Sequence, residues 1–212
     1  MSELALERQV GGVSLATQHH FVIKRKWWSF FDRVFRVYTG DGQLIMYVKH
    51  PLLRFREQFV VYEDEAQSRP LLHVTARQMI AINFAYDIRE AGSEAVLGSI
   101  EKRGVRSLWR DKFILRDAAE QEIGYAEEHG ASILRRLFPF LTSKHQVMIG
   151  DKQVAFMHQR FRFFIKEFAV DTEPSAVDPR FVLAVCLLAV MAEVRREERR
   201  GPLDVAGDLL GG

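Results

Sequence analysis

One phrase recurs five times along this 212-residue chain, and it limits the possible folds more than any other feature. It is read in FRVYTGDGQLIMYVKH (35–50), FVVYEDEAQSRPLLHVTAR (59–77), YDIREAGSEAVLGSIEKRG (86–104), FILRDAAEQEIGYAEEHG (113–130) and HQVMIGDKQVAFMHQR (145–160). Each copy sets a turn rich in Asp, Glu or Gly between two segments of alternating apolar residues, which is the pattern of a β-hairpin. The turn residues supply positive φ, or side-chain oxygens that satisfy the local backbone. Five hairpins, with FVIKRK (21–26) before them and RFFIKEFAV (162–170) after them, predict about twelve strands. The 16 Phe residues suit such strands better than helices.

So many short strands leave exposed edges unless the sheet closes or splits into a sandwich. The segment FVLAVCLLAVMA (181–192) favours closure. Its apolar run is too short for a membrane span, which needs roughly twenty residues, and an all-round apolar helix of that length is usually buried in protein. Asp178 followed by Pro179 is a good helix start. A helix over 178–195 is roughly 27 Å long at about 1.5 Å per residue, and an eight-residue strand covers roughly 26 Å. Helix and barrel therefore match in height. A twelve-stranded barrel is too wide to fill with its own side chains, and this helix is the expected plug. The predicted fold is all-β with one central helix: a closed antiparallel barrel of about twelve strands enclosing an apolar C-terminal α-helix. Residues 1–18 and 197–212 are expected to be flexible, leaving 19–196 as the domain.

The repeated strand–turn–strand pattern resembles the tubby-like superfamily, on TGDGQLI (39–45), LWRDKFILRD (108–117) and VDPRFVLAVCLLAV (177–190). The resemblance covers roughly residues 20–195 and is nearest to small bacterial LURP-one-related or scramblase-like proteins. It implies the barrel with a central helix. It also implies phosphoinositide binding, because tubby domains are known for it, although their ligand residues do not map position by position.

Net charge is only +2 with a pI near 8.7, but its distribution is uneven. In an up-and-down meander the hairpin turns sit at one end and the links between hairpins at the other. The turns sum to −6 and the links to +12. Basic residues in the links and adjoining strands keep aromatic company: Lys24, Arg25 and Lys26 precede Trp27 and Trp28, and Trp109 lies among Arg103, Arg106, Arg110 and Lys112. Arg54, Arg56, Arg135 and Arg136 complete the candidate lipid- or anion-binding set. Basic and aromatic groups on one surface suit an anionic membrane, at roughly 1 kcal/mol per basic residue, and suit phosphate equally. The same residues also serve solubility and cap strand ends.

No catalytic or metal constellation is legible. Seven histidines fall without paired-ligand spacing, and the adjacent pair His19–His20 points to opposite faces of a strand. Cys186, the only cysteine, sits mid-helix as a small hydrophobe, and glycine motifs for phosphate binding are missing. Asp171, Glu173 and Asp178 stand where scramblases carry a calcium-binding segment. Here Pro174, Ala176 and Val177 interrupt the oxygen series and no glycine supplies the turn. No cofactor is expected.

The expected function is a non-enzymatic, cytoplasmic binding module, peripheral to membranes. It would present a basic end to anionic lipid headgroups, phosphate ligands or an acidic protein, and nucleic acid is not expected. The alternative is a scramblase-like membrane protein with its C-terminal helix in the bilayer. The N-terminal stretch carries acids and no long apolar run, so a signal peptide is not expected.

Overall fold

In the computed structural model, residues 9–26, 32–51, 58–77, 84–102, 112–128, 143–160 and 165–199 are described. A two-stranded hairpin comes first: β1 (Gln9–Val10) and β2 (Val13–Ser14). Twelve strands follow: β3 (His20–Lys26), β4 (Asp32–Thr39), β5 (Leu44–Pro51), β6 (Gln58–Tyr62), β7 (Pro70–Ala76), β8 (Phe84–Glu90), β9 (Val96–Lys102), β10 (Lys112–Arg116), β11 (Glu122–Glu128), β12 (Lys144–Ile149), β13 (Lys152–Arg160) and β14 (Ile165–Thr172). Each pairs antiparallel with its neighbour in sequence, and β14 returns to pair with β3, closing the barrel. The last described element is α1 (Pro179–Arg199).

The five hairpins share more than their sequence pattern. Each carries a register shift near its turn, at Val37/Tyr38, Val61/Tyr62, Ile88/Arg89, Leu115/Arg116 and Val147/Met148. An extra residue there sharpens the local twist at the rim, which helps a sheet curl into a barrel. The acidic turn residues act as expected. Asp64 accepts bonds from the amides of Ser68 and Arg69, and Asp117 from those of Ala119 and Gln121.

The central helix is where the apolar run predicts it. All ten residues from 181 to 190 are buried, so every face of α1 is covered. One core cluster takes residues from all twelve barrel strands, among them Phe21, Phe35, Met46, Val61, Leu72, Ile88, Ile100, Leu115, Ala126, Val147, Met157 and Phe168, together with the helix. Each fully buried Val, Leu or Phe contributes roughly 1.5–3 kcal/mol of transfer free energy, which fixes the helix inside. Among the described residues no helix is long and apolar enough to cross a membrane.

Two boundaries differ from expectation. Residues 9–18 are not a loose tail: Val10 and Leu15 are buried in the core cluster, and Gln43 Nε2 donates to the Gly11 carbonyl at 2.7 Å. Two apolar anchors beside the tight Gly11–Gly12 turn are enough to dock this short hairpin. The helix continues past 195 to Arg199, through residues with good helix propensity.

The closeness of wall and plug shows at Gly98, whose φ of +156° lies at the edge of the region that favours glycine. A Cβ there would lie 2.5 Å from the Arg116 carbonyl oxygen and 2.6 Å from the Phe181 ring. Gly98→Ala is expected to destabilise the fold by about 3 kcal/mol, at the upper end of overpacking costs. Urea unfolding checks this, and an unchanged midpoint would show that the helix does not press on β9.

Candidate functional site

The strand ends Lys26, Asp32, Pro51, Gln58, Ala76, Phe84, Lys102, Lys112, Glu128, Lys144, Arg160 and Ile165 belong to one mouth of the barrel, because antiparallel strands in a closed meander alternate direction. Of the twelve basic and aromatic candidates, Arg54, Arg56, Arg103, Arg106, Trp109, Arg110, Arg135, Arg136 and the side chain of Lys26 lie outside the described residues. The other three differ from one another.

Lys24 alternates with core residues Phe21, Ile23 and the buried Arg25, so it stands on the outer wall. Its ammonium lies 5.2 Å above the Tyr38 ring and 3.8 Å from Glu167, with 42% of the side chain exposed. Register carries an outer row across six strands: Arg160, Glu167, Lys24, Arg36, Tyr47 and Tyr62. Within it Arg36 sits 5.5 Å over Tyr47 and donates to Glu65 at 2.7 and 3.0 Å. Lys112 opens β10, exposed, with Nζ 3.9 Å from the Tyr125 ring centre. It is five strand positions from Lys24 in a ring of twelve. The two lysines thus flank the mouth on nearly opposite walls and form no single patch.

Arg25 is corrected. It points into the lumen, 7% exposed and 6.0 Å from the Phe35 ring, and cannot meet a surface anion. The signal was available, since Phe21, Ile23 and Arg25 share one face of β3.

Arg25 belongs to a feature that the sequence did not announce. The lumen is apolar along most of its length, but near this mouth one arc of adjacent strands turns polar. Glu128 on β11, His145 on β12, Gln159 on β13, Lys166 on β14 and Arg25 on β3 all alternate with core residues. Glu128 is paired in register with His145, and Lys166 with Arg25. Glu193 of α1 faces this arc and is 2% exposed. His145 Nε2 lies 2.7 Å from Glu193 Oε2, and the Ser143 hydroxyl donates to the same oxygen at 2.9 Å. Burial alone would raise the Glu193 carboxyl. His145, Ser143 and the charge of Lys166 outweigh it and hold the group at about 2.

Ser, His and Glu are the residue types of a hydrolytic triad, but the order is wrong. A nucleophile must be hydrogen-bonded to the imidazole that takes its proton, whereas here serine and histidine both address the carboxylate. The trio ties the last turns of α1 to the wall. Cys186 is equally unsuited to nucleophilic chemistry, because burial pushes its thiol up to about 12.

The opposite end of α1 has its own tie. Asp178 accepts from the Arg180 amide at 2.8 Å as the helix cap. The Arg180 guanidinium, 7% exposed, grips Asp178 at 2.7 Å and bonds Glu90 on β8. Glu90 is held below the usual carboxylate range, first by the Ser93 hydroxyl and then by Arg180. Two of the three acidic residues of the calcium alternative are engaged by neighbouring side chains. Asp171 takes His20 at 2.8 Å and Asp178 takes Arg180, and among the described residues no three acidic, histidine or cysteine groups converge on one point.

The charge separation between the two ends is incomplete. Arg77, just past β7 at the basic mouth, donates to Asp87 at 2.7 Å and to Glu120 at 2.9 Å. Glu120 belongs to the β10–β11 turn, which the meander assigns to the acidic end. β10 is short, and Arg116 pairs with Ser99, which pairs with Asp87. Strand stagger therefore brings this turn down to Arg77.

A closed twelve-stranded antiparallel barrel filled by its own C-terminal helix defines a tubby-like barrel. A family model described as LURP-one-related matches residues 19–189, and the chain belongs to that family. No curated protein matches the chain. A solved structure of a protein from Arabidopsis thaliana is similar over 85% of this chain and 94% of that one, with 14% identity and a TM-score of 0.49.

The Glu193 tie predicts a pH signature. A carboxyl lowered in the folded state contributes stability that is complete above its unfolded value near 4.5 and is lost as pH falls toward about 2. Glu193→Ala, which strands two buried polar partners, is expected to cost about 2–4 kcal/mol at pH 7. Glu193→Gln should lose less stability between pH 4.5 and 2 than the wild type does. Chemical unfolding at pH 7 checks the first and unfolding between pH 4.5 and 2 the second, where parallel curves would contradict the assignment.

Proposed function

We propose that this protein is a non-enzymatic binding module whose basic mouth takes phosphate-bearing anions, foremost the headgroups of anionic lipids. The observation that carries the reading is the convergence of strand ends at one mouth, joined by link segments that sum to +12 in sequence. Lys24 and Lys112 support it from the described residues: each ammonium is exposed near the mouth and backed by a tyrosine ring. An aromatic beneath a cation lets the apolar stem pack while the charge stays accessible. Two tryptophans follow β3, and a third precedes β10, a residue type that favours the headgroup level of a bilayer.

The reading is a peripheral one, with the helix kept inside the barrel. Moving α1 into a bilayer would separate Arg180 from Glu90 and Glu193 from His145, leaving charges without partners at both ends of the helix. It would also open a lumen that the helix fills. An acidic protein partner would use the same rim and is an outcome of the test below.

Sedimentation with phosphatidylcholine vesicles, with and without anionic lipid, reads the proposal directly. Binding is expected only with the anionic component and should weaken steeply as salt shortens the Debye length from about 10 Å at 0.1 M to about 3 Å at 1 M. Lys24→Ala and Lys112→Ala should each weaken it about fivefold, the equivalent of roughly 1 kcal/mol per basic residue. A soluble inositol phosphate in competition separates headgroup recognition from general attraction to a charged surface. Equal recovery on neutral and anionic vesicles at low salt, with no binding of the inositol phosphate, would leave the acidic protein as the remaining partner and overturn the lipid reading.

A further inference from the structure

At the end of the barrel away from the basic mouth, the first turn of α1 is not met by wall side chains on every side. A cavity of about 190 Å³ lies there, between the helix, the start of β3, the segment that joins the N-terminal hairpin to β3 and the segment that leads from β14 into α1. Its floor is apolar, with Leu15, Phe21, Val182 and Leu183. Its rim is polar and includes His19 and Glu173. Glu173 is the only acidic or basic residue besides His19 among the lining groups. The Glu173 backbone is fixed by a 2.9 Å bond from its amide to the Val154 carbonyl.

The helix N-terminus gives this cavity no anion site. A helix N-terminus attracts anions through unpaired amides, but here the Arg180, Phe181 and Val182 amides are all taken by Asp178. The Arg180 guanidinium is turned toward Asp178 and Glu90 and does not line the space. What remains is an apolar set of lining side chains with Glu173, an exposed acidic residue, among its neighbours. Cavities of about 150 Å³ with apolar walls accept a benzene-sized molecule, so this one has room for a single ring or a chain of comparable bulk.

We infer that this cavity is a binding site for a small amphiphilic amine, its apolar body on Phe21, Val182 and Leu183 and its ammonium at Glu173. The site is independent of the basic mouth, at the other end of the molecule and of opposite charge preference. Leu15 and Ala16, which directly follow the N-terminal hairpin, form one wall, so occupancy and docking of that hairpin are coupled: an amine that bridges Leu15 and Leu183 holds this segment down.

Calorimetric titration of the full chain at pH 8 tests this with three probes: 2-phenylethylamine, phenylacetate and methylamine. The first should bind saturably, with a Kd of roughly 0.1–1 mM for a ligand of this size. Phenylacetate, which has the ring with the opposite charge, and methylamine, which has the charge without the ring, should not. Glu173→Gln, an exposed change, should weaken 2-phenylethylamine about tenfold. Val182→Phe should abolish binding by filling the floor, and Ala16→Trp, at an exposed lining position, should do so by closing the entrance if the helix variant fails to fold. Absence of saturable binding, equal binding of phenylacetate, or undiminished affinity in Glu173→Gln would each overturn the inference. None of these outcomes touches the vesicle experiment.

Discussion

A ring of twelve strands encloses more space than its inward side chains can fill, and the rest of this structure follows from how that space is occupied. The chain solves the problem with ten consecutive apolar residues in one helix, buried on every side. Because all faces of α1 are buried, it has no amphipathic stripe to set its rotation. Orientation is left to the polar groups at its two ends: Arg180 with Glu90 at one, Glu193 with His145 and Ser143 at the other. Apolar burial supplies the energy and these two ties supply the alignment. Buried ion pairs add little net stability over apolar contacts but are costly to break singly, which suits a role in fixing position.

The same constraint determines where ligands can meet the protein. A filled lumen is no channel and offers no deep central pocket. Recognition is left to the rims and the outer wall. The basic mouth and the cavity under the N-terminal hairpin are the two rims, and they differ in charge and shape. One carries Lys24 and Lys112 on nearly opposite walls, each over a tyrosine ring. The other is a small recess lined by Leu15, Phe21, Val182 and Leu183, with Glu173 as its one acidic lining residue.

Much of this was legible in the sequence because the signals are local and repeated. Alternation with acidic or glycine turns gives the hairpins, and Asp178–Pro179 with the apolar run gives the helix and its start. The direction of Arg25 was also legible, through Phe21 and Ile23, but a basic triplet beside two tryptophans drew attention to charge before periodicity. The N-terminal hairpin was hidden because two-residue strands have no periodicity to read and its buried anchors, Val10 and Leu15, are isolated in sequence. Three things depend on stagger and closure, which no local pattern encodes: the polar arc inside the mouth, the pairing of Arg77 with Glu120, and the distance around the ring between Lys24 and Lys112.

The central claim, that the helix lies inside the barrel, can be tested through the only cysteine in the chain. Cys186 is at the middle of α1, fully buried and with its thiol raised to about 12. Labelling of the native protein with a thiol reagent should proceed only as fast as the whole barrel unfolds, and should accelerate with denaturant in step with global unfolding. Modification at the rate of an exposed thiol, in the absence of denaturant, would mean that the helix is outside the barrel.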